Sequence, residues 1–187
     1  MNPPPNSSLR SGHPIVWITR PPGLATLGPR VAHALDASLL THVASRAEGE
    51  RATVFVASDS LGHEATVAAE SLCVSQYLAQ HAAVLALLRA RSVRLVGLLT
   101  GTGHSAAFFS NALQAPSVYA LAGARVVAME PAAIARVTRL DANALAARIE
   151  EDPLVGQPVR HFAAWGGIAE MLPDASLERL LVLAERG

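Results

Sequence analysis

Two hydrophobic periods alternate along the chain. Short β-branched runs bounded by turn residues occur at 14–19 (PIVWIT), 53–57 (TVFVA), 93–99 (VRLVGLL), 117–121 and 125–129, and each predicts a strand. Pro14 puts the first at a sheet edge or a strand start. Helical spacing fills the intervals. Val31, Leu35 and Leu39 predict a helix over 29–40, with Pro29 suited to its first turn. Residues 64–91 hold neither Gly nor Pro and are Ala-rich, which predicts one helix of about 40 Å at ~1.5 Å per residue. Further helices are predicted over 106–114, stopped by Pro116, and over 131–137, 158–165 and 176–185. Another spans 141–151, with Asp141 as its N-cap and Arg148 near its C-terminal end. Strand and helix alternate and the last third is helical, so the fold class is α/β. Residues 1–13 are polar and Pro-rich and read as a disordered or loosely docked arm, 47–51 as a polar link, and 14–187 as a single domain.

Composition narrows the chemistry. The 187 residues are 51% hydrophobic and only 4% aromatic, so the core is aliphatic and Ala-rich. All 15 basic residues are Arg, balanced by 15 acidic ones. A chain without Lys has no Schiff-base lysine, no phosphate-loop lysine and no lysine base. Neutral charge with dispersed Arg argues against nucleic-acid binding, and so little charge favours association with another chain. Cys73 is the sole cysteine, which excludes an internal disulfide and a multi-Cys zinc site. The first twelve residues lack a signal-peptide pattern and the apolar run at 82–88 is too short for a bilayer, so a soluble cytoplasmic protein with no membrane partner is expected.

The most informative stretch is T-G-T-G-H-S-A-A-F-F at 100–109, where a strand runs into a helix. Gly101 and Gly103 allow a tight turn and close approach to a ligand. Backbone N–H groups at such a turn suit a carboxylate or a developing oxyanion. Two other readings stay open. Residues 103–107 nearly fit a G-x-S-x-G elbow, with Ser105 as nucleophile, His161 as base and Asp141 or Asp152 behind it. The plainest reading is a Gly-rich turn with Ser105 as an N-cap.

The same stretch carries a family likeness. L98–F108, Gln114-Ala115, Ala120-Leu121, V126–M129 and A132–T138 together resemble the gamma subunit of biotin-independent malonate decarboxylase, in the crotonase-like carboxyltransferase superfamily. Val56–Ser60, Glu70–Leu72, Phe162-Ala163 and Gly166–Ile168 extend the likeness over roughly 53–172. Ala106 stands where the family usually has Gly, and Met129-Glu130-Pro131 where it has Met-Gly-Lys.

The resemblance implies a crotonase-like ββα spiral core with a helical C-terminal region. It implies a homologous beta subunit and an acyl carrier protein as partners. The carrier's thioester arm brings the malonyl group, with no metal, biotin or directly bound cofactor. The pair releases CO2 and leaves acetyl thioester through an enolate. The backbone at Gly103, His104, Ser105 and Ala106 is then the catalytic cradle on the carboxylate side. Ser58, Asp59, Ser60, Gly101, Thr102, Gln114 and Arg136 are the substrate-side candidates, Gln114 also as a brace for the helix. A non-catalytic scaffold of the same fold is the third function class. His81 and Cys73, among apolar neighbours, are expected to pack, as are Phe108 and Phe109 under the cradle helix. Arg125 reads as a surface ion pair or an anion contact.

Overall fold

The computed structural model describes residues 15–18 by their backbone, and 26–45, 52–152 and 157–186 in full; the arm at 1–13 and the link at 47–51 lie outside the described residues. Five strands form a parallel sheet in the order β1 (Ile15–Ile18), β2 (Ala52–Ser58), β3 (Val93–Leu99), β5 (Ser117–Leu121) and β7 (Glu170–Leu172). The first strand lies at the sheet edge, as Pro14 suggests. Both faces are covered, so the strands read as near-continuous apolar runs. Side chains alternate across the sheet. Val54, Val56, Leu95 and Leu99 face one cluster with Leu39, Leu85, Leu88 and Phe108, whereas Phe55, Val96 and Leu98 face another with Leu180 and Leu183. The first cluster lies under α1 (Pro29–Ala44) and α3 (Val74–Ala90), the second under α8 (Leu177–Glu185).

A second, two-stranded sheet positions the site. After β3 the chain turns into β4 (Thr102–His104), then α4 (Ser105–Phe109). After β5 it turns at Gly123 into β6 (Arg125–Val127), then α5 (Pro131–Thr138). β4 and β6 pair in parallel, with Gly103 opposite Val126. Two consecutive strand–strand–helix units thus stack in register, the ββα repeat of a spiral.

Four expectations need correction. The helix over 64–91 is broken into α2 (Val67–Ser71) and α3 at Leu72 and Cys73. Thr66 Oγ1 caps α2 by accepting from Ala69 N at 3.1 Å, and Leu72 N and Cys73 N bond back to Ala68 O and Glu70 O, closing it. The buried stripe of α3 then starts afresh at Val74. Cys73 is exposed at φ 57°, so it does not pack in a helix as expected. The helix over 106–114 is α4 plus a 3-10 turn at Ala112–Gln114. Phe108 is buried beneath it, whereas Phe109 is 41% exposed. Strands β4 and β7 are too short to carry a periodic signal. The remaining helices, α6 (Ala142–Glu151) and α7 (Val159–Ala164), fall where expected, and Asp141 caps α6 through Asn143 N and Ala144 N.

Candidate active site

β2 and β3 stay in register up to Ser58 opposite Leu99, and their extensions remain joined. Thr100 N donates to Ser58 O at 3.0 Å and Ser60 N to Thr102 O at 2.8 Å. Thr102 N donates to the Asp59 carboxylate at 3.0 Å. Arg125 N donates to Gly101 O at 3.1 Å, tying the same segment to β6. The result is one rigid edge at the C-terminal ends of parallel strands, where open α/β sheets place ligands. Gly101 is required there, because a Cβ would overlap the Asp59 carboxylate. A Cβ on Gly103 would press on the Phe108 ring at 2.9 Å and on Leu99 at 3.0 Å.

The edge ends in a sharp reversal. Ser105 has φ 50°, a left-handed conformation that a non-glycine residue adopts only under constraint. α4 starts there, and the amides of its first turn have no acceptor within the helix. His104, not Ser105, occupies the N-cap position, and it forms no side-chain cap. The Ser105 hydroxyl has no hydrogen-bond partner among the described residues. Behind the edge lies a small, partly open cleft of ≈ 20 Å³ lined by Leu27, Val31, Ser58, Ser60, Ala107 and Asn111.

The electrostatics are local. His104 Nε2 is 3.7 Å from Glu130 Oε1, and its ring lies against Gly62. Its Nδ1 is buried with no partner among the described residues. Arg125 donates to Glu130 at 3.3 Å and to Gln157 Oε1 at 3.1 Å, while Gln157 donates to Met129 O at 3.0 Å. Arg125 is therefore committed to the ion pair.

Of the residues singled out in the sequence, Ser58, Asp59, Ser60, Gly101, Thr102, Gly103, His104, Ser105 and Ala106 come together here. Asp59 and Ser60 act as braces, the latter accepting from Gly62 N at 3.1 Å. Gln114 does not join them. It bonds Phe109 O at 2.7 Å at the far end of α4, just before β5 begins. Arg136 lies exposed in the last turn of α5, with no hydrogen-bond or ion-pair partner among the described residues. The serine-hydrolase arrangement is not assembled. His161 Nε2 faces Glu150 O at 3.0 Å, and Asp141 is spent on its helix cap. Glu130 and Asn111 were not singled out as site residues, since each meets the edge only through tertiary contact.

Comparison with known proteins decides the family. The family model "malonate decarboxylase gamma subunit" matches residues 25–185. The chain belongs to that family. Its structure is similar to the Pseudomonas malonate decarboxylase MdcD–MdcE heterodimer, with a TM-score of 0.79 and 25% identity over 95% of this chain and 75% of the other. A Pseudomonas malonate decarboxylase hetero-tetramer in complex with malonate gives a TM-score of 0.75 at 24% identity, covering 92% of this chain and 70% of that one. The transcarboxylase 12S subunit shares the fold at 17% identity and a TM-score of 0.70, over 91% of this chain and 33% of that one. No curated protein is matched significantly in sequence. The resemblance read from residues 98–138, and the crotonase-like fold it implied, are thereby borne out. No helix among the described residues is long and apolar enough to cross a membrane.

Proposed function

We propose that the chain forms, with a homologous beta subunit, a cytoplasmic complex that decarboxylates a malonyl group carried as a thioester on an acyl carrier protein. The observation that carries this reading is the edge at 100–106, a constrained strand-to-helix turn in a chain of the malonate decarboxylase gamma subunit family. The Pseudomonas relatives are described as a heterodimer with MdcD and as hetero-tetramers with coenzyme A or malonate, which supports both the partner and the thioester substrate.

The chemistry follows from where charge develops. The bond between the α-carbon and the carboxyl carbon breaks, CO2 leaves, and the electron pair moves onto the α-carbon and the thioester oxygen. A proton then returns to the α-carbon to give acetyl thioester. Donors fixed in advance toward that charge lower the barrier without reorganising. The backbone turn at Gly103, His104, Ser105 and Ala106 holds the carboxylate side through the amides that pairing with β6 leaves free, and the beta subunit supplies the donors for the thioester oxygen. Asp59 and Ser60 fix the edge rather than touch the substrate. Arg136 meets the anionic carrier or the malonyl carboxylate in this reading, which its exposure and its lack of a partner among the described residues support.

Co-expression with a beta subunit, sizing and a malonyl-thioester assay test the reading. A stable complex that releases acetyl thioester, with neither chain active alone, is the expected result. A chain that ignores the beta subunit and cleaves simple esters alone would overturn it.

A further inference from the structure

A buried polar chain joins the helical layer to the cleft. Asp36 on α1, His81 on α3 and Asn111 just after α4 are 1%, 0% and 8% exposed. His81 Nδ1 lies 2.7 Å from Asp36 Oδ1, and Nε2 lies 3.1 Å from Asn111 Oδ1. Gln80 Nε2 donates to the second Asp36 oxygen at 3.0 Å. Asn111 Nδ2 donates to Ala57 O at 3.1 Å. Ala57 is the residue before Ser58, where the edge begins, and Asn111 also lines the cleft.

With Asp36 ionised, the donor inventory fixes the protons of the ring. The Asn111 amide nitrogen is committed to a carbonyl, so its oxygen faces the imidazole. A carboxylate offers only acceptors. Both ring nitrogens therefore face oxygens, and only a ring with a proton on each satisfies both contacts. A buried cation of this kind persists when a hydrogen-bonded counter-charge stands beside it.

We infer that Asp36 and His81 form a buried carboxylate–imidazolium pair that sets the Asn111 amide and, through it, pins the end of β2. His81 and Asn111 are thus positioning residues for the edge at 58–62. This rests on the function proposed above. Losing the His81 donor leaves the Asn111 oxygen unpaired in the core and weakens the hold of Asn111 on Ala57 O.

The test uses the complex with its beta subunit and three variants. His81→Gln replaces the ring by an amide that donates from one end only, so it cannot bridge Asp36 and Asn111. Asn111→Asp keeps an acceptor for His81 but loses the donor to Ala57 O. Leu39→Ala, in the core on the same helix, is destabilising without touching the relay. The first two are expected to lower kcat roughly tenfold or more, with KM moved less than about threefold, because small displacements of positioning groups are costly. Leu39→Ala lowers Tm and keeps kcat. In ¹⁵N spectra of the histidine-labelled complex, the ring assigned by its loss in His81→Gln shows both nitrogens protonated. Wild-type kcat in both relay variants, equal kcat loss in Leu39→Ala, or a His81 ring with one bare nitrogen would overturn the inference. A wild-type complex that releases no CO2 from a malonyl thioester sinks the proposed function instead, and the nitrogen spectrum then decides the relay by itself.

Discussion

Ser105 carries two separable properties, a hydroxyl and a constrained backbone. The proposed cradle uses the second. Ser105→Gly removes the hydroxyl and relieves the φ of 50°. It is expected to raise stability by up to about 1 kcal/mol in thermal unfolding, with kcat of the complex kept within a few-fold. Loss of all activity would return the hydroxyl to the mechanism. Asp59→Ala probes the brace. Thr102 N loses its acceptor, and the change costs about 1 kcal/mol and lowers kcat about tenfold, read by denaturant unfolding and steady-state assay. At this scale the sequence was informative where glycine was needed. Gly101 and Gly103 were read as allowing close approach to a ligand, and what the structure sets against them is protein, Asp59 and Phe108. Glu130 and Asn111 were illegible as site residues, because nothing local distinguishes them from surface or helix-end residues.

Among the elements, the break between α2 and α3 departs most from the periodic reading. No Gly or Pro marks the interruption in residues 64–91, although Ser71, Cys73, Val74 and Ser75 around it are weaker helix formers than the Ala- and Leu-rich run that follows. Tertiary burial decides it, since only Ala69 is buried on α2 whereas α3 buries a full stripe. Cys73 bears the left-handed conformation at the break. Cys73→Gly is accordingly expected to stabilise the chain by about 0.5–1 kcal/mol in thermal unfolding, and Cys73→Val to destabilise it. The start of α8 gives a pH prediction. Hydrogen bonds from the backbone and then the side chain of Ser176, with Arg179 adding, hold the Asp174 carboxyl below the ordinary carboxylate range. A lowered folded-state value stabilises above the unfolded value, and that stabilisation is lost as pH falls through the folded one. Asp174→Asn should thus flatten the acid limb of a Tm-against-pH curve and leave its alkaline side unchanged in shape.

For the molecule as a whole, alternation of strand and helix was enough to indicate α/β. The spiral was not visible in it. Runs 117–121 and 125–129 look like neighbours in one sheet, yet Gly123 sends the chain from β5 out to β6, which pairs with β4. That exchange brings Arg125 N onto Gly101 O and closes the edge from its second side. Motif spacing over residues 98–138 led to the family, because it preserved this local construction better than periodicity displayed it.

The central claim is that the chain contributes a backbone cradle to a site shared with a beta subunit. Its most direct test is CO2 release from a malonyl thioester by complexes carrying Ser105→Ala or Gly103→Val, each first shown by sizing to co-elute with the beta subunit. The account predicts near wild-type turnover for Ser105→Ala. For Gly103→Val it predicts a loss of roughly a hundredfold or more, because the added side chain drives the turn off Phe108 and Leu99. Wild-type turnover in Gly103→Val, or an inactive Ser105→Ala complex, would contradict it.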